Sequence, residues 1–153
     1  MNAGTQRWRS ALAVALLAVA GIALVACGND DDADAGEVNE ITIVVSDSLA
    51  FEPAEIRIRA NERYRLVLDN GESTMLHDFS VMHMPVHDVH EEGATHGAHG
   101  MHGGPHGAAL HMAAEAGHMA MVEFTPTEPG EYRFVCTVPG HEQGGMVGTI
   151  IVE

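Results

Sequence analysis

Apolar and polar residues alternate along most of the chain after residue 40, in short runs with a period of two. Turn residues such as Asn70-Gly71 and Glu128-Pro129-Gly130 separate the runs. A period of two sends successive side chains to opposite faces of a β-strand, so each run is expected to bury one face. The runs begin near Ile41, Ile56, Tyr64, Phe79, Val122, Tyr132 and Gly148. This pattern predicts an all-β fold, an antiparallel Greek-key β-sandwich formed by one domain over residues 41–153.

The alternation breaks down between residues 84 and 118, a segment rich in His and Met that is expected to interrupt the domain as an insertion. Frequent glycines disfavour a long helix there, so residues 91–107 are predicted to lack regular structure and residues 108–117 remain open to short helical pieces. The stretch from Met82 to Met121 contains His83, His87, His90, His96, His99, His102, His106, His111 and His118.

The first 26 residues are predicted to be an export signal. Arg7 and Arg9 precede an apolar run from Ala11 to Ala26, which as a helix would span about 24 Å at ~1.5 Å per residue, less than the ~30 Å hydrocarbon core of a membrane. The run ends in Leu24-Val25-Ala26-Cys27, which resembles a bacterial lipobox, so Cys27 is the candidate lipidation site. An ordinary signal peptide or an uncleaved anchor is the alternative.

Residues 27–40 are predicted to be an acidic, flexible tether, because Asp, Ala, Gly and Asn cannot bury enough apolar surface to fold. The chain has no Lys and a formal net charge of −15. Removal of residues 1–26 would delete two arginines and no acid, making the charge more negative still. Such a chain repels nucleic acid, so no nucleic-acid function is expected.

Four of the arginines, Arg57, Arg59, Arg63 and Arg65, occupy outward positions of neighbouring strands. They are most simply charged surface positions that discourage aggregation between sheets. The competing hypothesis is a docking patch for an acidic redox partner.

The chemistry of the chain is concentrated near its C-terminus, where Cys136, His141 and Met146 occupy one short loop between two strand-like runs. His77 supplies a second imidazole from upstream. Two His, one Cys and a weak axial Met form the donor set of blue-copper electron-transfer sites. Zinc is the alternative metal, but a thioether contributes little to zinc binding.

The cysteine count agrees with a metal site. Export implies an oxidising compartment in which disulfides are expected, yet the chain contains only Cys27 and Cys136. Lipidation of Cys27 would leave Cys136 as an unpaired thiol, for which metal coordination is an explanation. A Cys27–Cys136 disulfide is the competing interpretation and would leave His141 and Met146 unexplained.

The sequence resembles the cupredoxins, in particular small plastocyanin- and auracyanin-like proteins, over residues 41–83 and 119–153. The matching segments are Phe51-Glu52-Pro53, Leu66-Val67-Leu68-Asp69-Asn70, and 128–136 leading into the loop. The resemblance implies one type 1 copper, with His77, Cys136 and His141 as equatorial ligands and Met146 as the axial ligand. It also implies that the backbone N–H of Asp78 approaches the Cys136 sulfur. The Asp78 carboxylate is expected to accept a hydrogen bond from Thr137.

The predicted function is that of a one-electron carrier and not an enzyme, held to the cell membrane by its lipid anchor and facing the periplasm or the cell exterior. Its partners would be redox proteins of an extracytoplasmic electron-transport chain, with His141 passing the electron. The alternative is copper capture, resistance or delivery through the His/Met-rich segment, whose His96, His99, His102 and His106 are candidate ligands for additional labile copper or zinc.

Overall fold

The computed structural model describes residues 37–92, 105 and 107–153, all of which belong to one compact unit, Asp34–Glu153. The predicted export signal, Cys27 and most of the predicted tether lie outside these residues, as do His96, His99, His102 and His106. The tether was predicted to extend to residue 40, whereas the first strand already begins at Asn39.

The described residues form ten β-strands in two five-stranded sheets. The strands are β1 (Asn39–Val45), β2 (Phe51–Glu52), β3 (Glu55–Ile58), β4 (Tyr64–Asp69), β5 (His77–Val81), β6 (Val86–Glu92), β7 (Leu110–Ala114), β8 (Met119–Pro126), β9 (Gly130–Val135) and β10 (Val147–Val152). The first sheet has the order β2-β1-β4-β8-β6, and the second has the order β3-β10-β9-β5-β7.

The predicted all-β sandwich is confirmed, but its sheets are mixed and not wholly antiparallel. Strand β1 runs parallel to β4, and β10 runs parallel to β3. After β2 the chain crosses to the second sheet to form β3 and then returns as β4, so β4 arrives beside β1 in the same direction. Period-two patterning reports which face of a strand is buried and carries no information about the direction of its neighbour.

The His/Met-rich segment contributes two strands to the sandwich. Strand β6 pairs with β8 in the first sheet, and β7 pairs with β5 in the second. The helical pieces considered for residues 108–117 are replaced by β7, in which Leu110, Met112 and Ala114 are buried and the two residues between them are half-buried. This alternation is that of a strand, although Leu, Met and Ala also favour helices.

The sandwich buries the inward residues of both sheets in one apolar core. Three aromatic rings form its centre: Phe134 lies 4.6 Å from Phe79 and 5.0 Å from Phe51, measured between ring centroids. Phe79 is two residues after His77, and Phe134 is two residues before Cys136. The rigid core therefore fixes both strands from which candidate metal ligands project.

All four outward arginines face acidic side chains. Arg63 and Arg65 both bind Glu123, and Arg65 also contacts Glu40. The other two pairings are Arg57 with Glu55 and Glu153, and Arg59 with Glu62. Their positive charge is locally balanced and divided between two sheets, which favours the surface role over a docking patch for an acidic partner.

Within the ranges that the structure describes, no helix has the length and apolar character needed to cross a membrane.

Candidate metal centre

His77 is the first residue of β5 and is completely buried. Its Nε2 atom lies 3.1 Å from the Ser73 hydroxyl oxygen. Its Nδ1 atom is also buried and has no hydrogen-bond partner. A buried polar atom without a partner is costly, so this nitrogen is a strong candidate for coordinating an ion.

The second group of donors lies on the loop between β9 and β10. This loop turns through Gly140 and Gly145, whose φ angles of 93° and 104° are strained for other residues. The Met146 N–H donates to the His141 carbonyl at 3.0 Å, and the Cys136 N–H donates to the Met146 carbonyl at 3.1 Å. These bonds close the loop, so that Cys136, His141 and Met146 become neighbours.

The donor atoms of His77, Cys136 and His141 all lie within 4.8 Å of one another. The Cys136 sulfur is 3.4 Å from His141 Nδ1, and the two imidazole ring centroids are 4.9 Å apart. His141 is 8% exposed, whereas the Cys136 and Met146 side chains are completely buried. The predicted equatorial donors are thus brought together, and the buried Met146 joins them through its backbone bonds.

This arrangement fits copper. Imidazole nitrogen serves both oxidation states, and thiolate and thioether sulfur favour Cu(I). The partnerless His77 Nδ1 and the Cys136 sulfur supply lone pairs at buried positions of the sandwich. Zinc could use the same imidazoles and thiolate, but the buried thioether of Met146 would add little to a zinc site.

Burial disfavours charge on two of the candidate donors, Cys136 and His77. Burial raises the pKa of the Cys136 thiol to about 11, against smaller lowering effects from the backbone N–H groups of Asp78 and Val138. Burial also lowers the pKa of His77, with a further contribution from His141. In the absence of a cation, a neutral thiol and a neutral imidazole are therefore favoured. A bound cation would supply the positive charge that a thiolate needs there.

Asp78 joins the two segments that carry the donors. Its backbone N–H points at the Cys136 sulfur across 3.4 Å. One carboxylate oxygen accepts the Thr137 N–H at 2.6 Å, and the other accepts a very short bond from the Thr137 hydroxyl. The approach of the Asp78 N–H to the Cys136 sulfur was implied by the family resemblance, and the acceptance of hydrogen bonds from Thr137 was a separate hypothesis; the structure contains both.

Residues 38–153 match the family described as copper binding proteins, plastocyanin/azurin family. The chain belongs to this family. The match covers the whole sandwich together with all four predicted copper donors, and it confirms the resemblance inferred from the loop sequence.

Curated relatives and solved structures agree with this assignment. The copper-resistant cuproprotein CopI of Rubrivivax gelatinosus is 31% identical over 113 residues, which cover 74% of the chain and 66% of that protein. CopI of Pseudomonas aeruginosa is 28% identical over 146 residues, which cover 79% of the chain and 80% of that protein. Auracyanin B superposes with a TM-score of 0.60 at 24% identity, covering 75% of the chain and 88% of auracyanin B. An auracyanin of Roseiflexus castenholzii superposes with a TM-score of 0.58 at 21% identity, covering 77% of the chain and 99% of that auracyanin.

Two residues beside this family site were not predicted from the sequence. Ser73 contacts the far nitrogen of His77, and Asp47 contacts Ser73. Ser73 precedes His77 by four residues in a loop, and Asp47 is thirty residues away. No motif marks either residue, because the fold alone brings them together.

Proposed function

We propose that the protein is a type 1 copper protein that carries single electrons and performs no catalysis. The convergence of His77, Cys136 and His141, with the completely buried Met146 beside them, supports this function most directly. Copper held by these donors supplies a one-electron Cu(II)/Cu(I) couple. A thioether as the fourth ligand would leave no open coordination position for a substrate, so an electron carrier is favoured over an enzyme.

The surrounding residues suit such a carrier because they restrict movement of the donors. His77 is fixed in β5, and the Asp78–Thr137 contacts attach β5 to the ligand loop. Rigid donors need little rearrangement when the charge of the site changes. The slight exposure of His141 makes its ring the proposed route by which electrons enter and leave.

The cellular setting is proposed from the N-terminal sequence. Arg7 and Arg9, the apolar run after them and the Leu24-Val25-Ala26-Cys27 motif favour export and lipidation at Cys27. The protein would then face the periplasm or the cell exterior as a membrane-anchored carrier, with an extracytoplasmic redox protein as its partner.

The experiment that tests the carrier function is spectroscopy of the copper-loaded protein. The oxidised protein should show an intense thiolate-to-copper absorption at about 600 nm and a reversible one-electron wave in voltammetry. The Cys136→Ser variant should lose the absorption, because an alkoxide or hydroxyl cannot replace the thiolate. A colourless oxidised wild type, or a Cys136→Ser variant with the same spectrum, would contradict the proposal.

Copper handling is a second candidate function, favoured by the similarity to two proteins named copper-resistant cuproproteins. The His/Met-rich segment would capture additional labile copper or zinc. Titration with Cu(II) should then give more than one equivalent for the wild type. It should give fewer for a variant with His96, His99, His102 and His106 replaced by Asn. Equal stoichiometry in the two proteins would exclude a role for these four residues.

A further inference from the structure

The Ser73 hydroxyl makes three polar contacts of 3.1 Å or less, one of them to His77, and a longer contact of 3.4 Å to the Met75 carbonyl. It lies 2.7 Å from Asp47 Oδ1, 3.1 Å from the Met75 backbone nitrogen and 3.1 Å from His77 Nε2. Ser73 is buried, and Asp47 is an exposed residue of the loop between β1 and β2. A chain of hydrogen bonds thus connects a surface carboxylate to the buried far side of a predicted copper ligand.

The number of hydrogens on these groups fixes the direction of every bond. A hydroxyl has one hydrogen to donate and two lone pairs with which to accept. The Asp47 carboxylate can only accept, and at 2.7 Å it is much closer to the Ser73 hydroxyl than the Met75 carbonyl at 3.4 Å, so the hydrogen of Ser73 points at Asp47. The Met75 N–H can only donate, so it uses one lone pair of Ser73. The remaining lone pair faces His77, whose Nε2 must therefore carry a hydrogen and donate.

The protonated Nε2 decides the state of the other nitrogen of the ring. A neutral imidazole has one N–H, so a hydrogen on Nε2 leaves Nδ1 with a free lone pair. His77 Nδ1 is a buried atom without a hydrogen-bond partner, and one ring nitrogen of His77 lies within 4.8 Å of the Cys136 and His141 donor atoms. Because Nε2 is engaged by Ser73, Nδ1 is the nitrogen left to hold an ion. The hydrogen-bond chain selects this tautomer, and the absence of a partner at Nδ1 leaves its lone pair available to an ion.

We infer that Asp47 and Ser73 are positioning residues that hold His77 in its copper-binding tautomer and orientation. The inference rests on the proposed function, because the ion that His77 would hold is the copper of that site. Neither residue touches the metal position. Both act through the Nε2–H of the imidazole, in the way that second-sphere carboxylates orient and strengthen metal-binding histidines.

The loops that carry the two residues are themselves braced. Thr74 donates to both oxygens of Asp47, from its N–H at 2.9 Å and from its hydroxyl at 2.8 Å. Asn70, completely buried, donates to the carbonyls of Met75 and Ala114 at 2.8 and 2.9 Å. The Asp47 carboxylate therefore has little freedom to turn away from Ser73, and Ser73 is held below the imidazole before any ion binds.

The negative charge of Asp47 should have a measurable effect on the copper bound by His77. A carboxylate that accepts through Ser73 makes the His77 ring a better electron donor, which stabilises Cu(II) relative to Cu(I). Removing this charge should raise the reduction potential and weaken Cu(II) binding by about 10- to 100-fold. Removing the hydroxyl of Ser73 should have a similar effect, although Asp47 would keep its charge.

The test uses the full-length protein and four variants. Asp47→Asn removes the charge, Ser73→Ala breaks the chain, and Ser73→Thr retains a hydroxyl. Glu72→Gln is the matched control, because Glu72 is an exposed carboxylate next to Ser73 in the same loop. Three properties are measured in each: the His77 tautomer by ¹⁵N NMR without metal, Cu(II) affinity by competition with a chelator, and reduction potential.

We expect the metal-free wild type to carry its His77 hydrogen on Nε2, and Ser73→Ala to populate both tautomers. Asp47→Asn and Ser73→Ala should bind Cu(II) more weakly and have higher potentials, whereas Ser73→Thr and Glu72→Gln should match the wild type. A wild-type hydrogen on Nδ1 would overturn the inference. So would potentials that shift equally in Asp47→Asn and Glu72→Gln. If the copper-loaded wild type lacked the thiolate-to-copper absorption, the proposed function would be refuted. The tautomer of His77 would still be determined by NMR of the metal-free protein, so the two failures can be distinguished.

Discussion

Replacing Asp78 by alanine should destabilise the metal-free protein, because its carboxylate is the acceptor that joins β5 to the ligand loop. Two hydrogen bonds from Thr137 would be lost, one from its N–H at 2.6 Å and one from its hydroxyl. A hydrogen bond to a charged group contributes about 1.5–3 kcal/mol, so the loss of two should lower the unfolding free energy by about 3–6 kcal/mol. A domain of this size has about 5–15 kcal/mol in total, so the loss would be large.

Asparagine at this position should cost less. Its carbonyl can still accept the Thr137 N–H, and its amide can donate to the Thr137 hydroxyl oxygen. Both contacts then become neutral ones, which predicts a loss of about 1–2 kcal/mol for Asp78→Asn. The expected order of stability is therefore wild type, then Asp78→Asn, then Asp78→Ala, measured by urea unfolding of the metal-free protein.

Thr137→Val is the matched partner for a double-mutant cycle, because it removes the hydroxyl while keeping the shape of the side chain and the N–H. Its cost should shrink in the Asp78→Asn background, with a coupling energy of about 1–2 kcal/mol. Additive costs, or a loss below about 1 kcal/mol for Asp78→Ala, would refute the assignment of Asp78 as the residue that holds the loop to β5.

Two further predictions concern the core and the thiol. Gly148→Ala should unfold at much lower urea than the wild type, since a Cβ there would lie 2.2 Å from the Phe134 ring and 2.5 Å from the Ala54 carbonyl; wild-type stability would show that this contact relaxes freely. The pKa of Cys136 is raised from 9.0 to about 11. Its neutral form therefore stabilises the metal-free fold below pH 9, and this contribution is lost as the pH rises through about 11. Urea midpoints should fall over that window by more in the wild type than in Cys136→Ser, and equal pH profiles would contradict the raised pKa.

The part of the fold that could be predicted is the part that depends on which face of a strand is buried. Alternation identified Tyr64 and Leu66 as inward residues of β4, and both are buried. Alternation did not predict that β4 runs parallel to β1, because strand direction depends on the connections between strands and not on which side chains are buried. It also missed β7, since the glycines before it and its Met and Ala content concealed a five-residue alternation.

The candidate metal centre was predictable to the extent that donors of one ion share a loop. Cys136, His141 and Met146 lie close together in the sequence, and their chemistry limits the choice of metal. The approach of the Asp78 N–H to the Cys136 sulfur was expected only because of the family resemblance. The Asp47–Ser73 contact depends on two loops that meet only in the folded protein, so no local spacing signals it.

The pairing of β5 with β9, through Ser80 with Val135 and Val81 with Phe134, has a consequence for how the protein matures. About half of the domain's sequence lies between His77 and Cys136, which become neighbours only once these strands have joined. A newly made chain therefore has no complete set of copper donors until β9 has paired with β5. Metal loading should follow folding, which would protect the cell from a half-formed chain that carries a reactive ion.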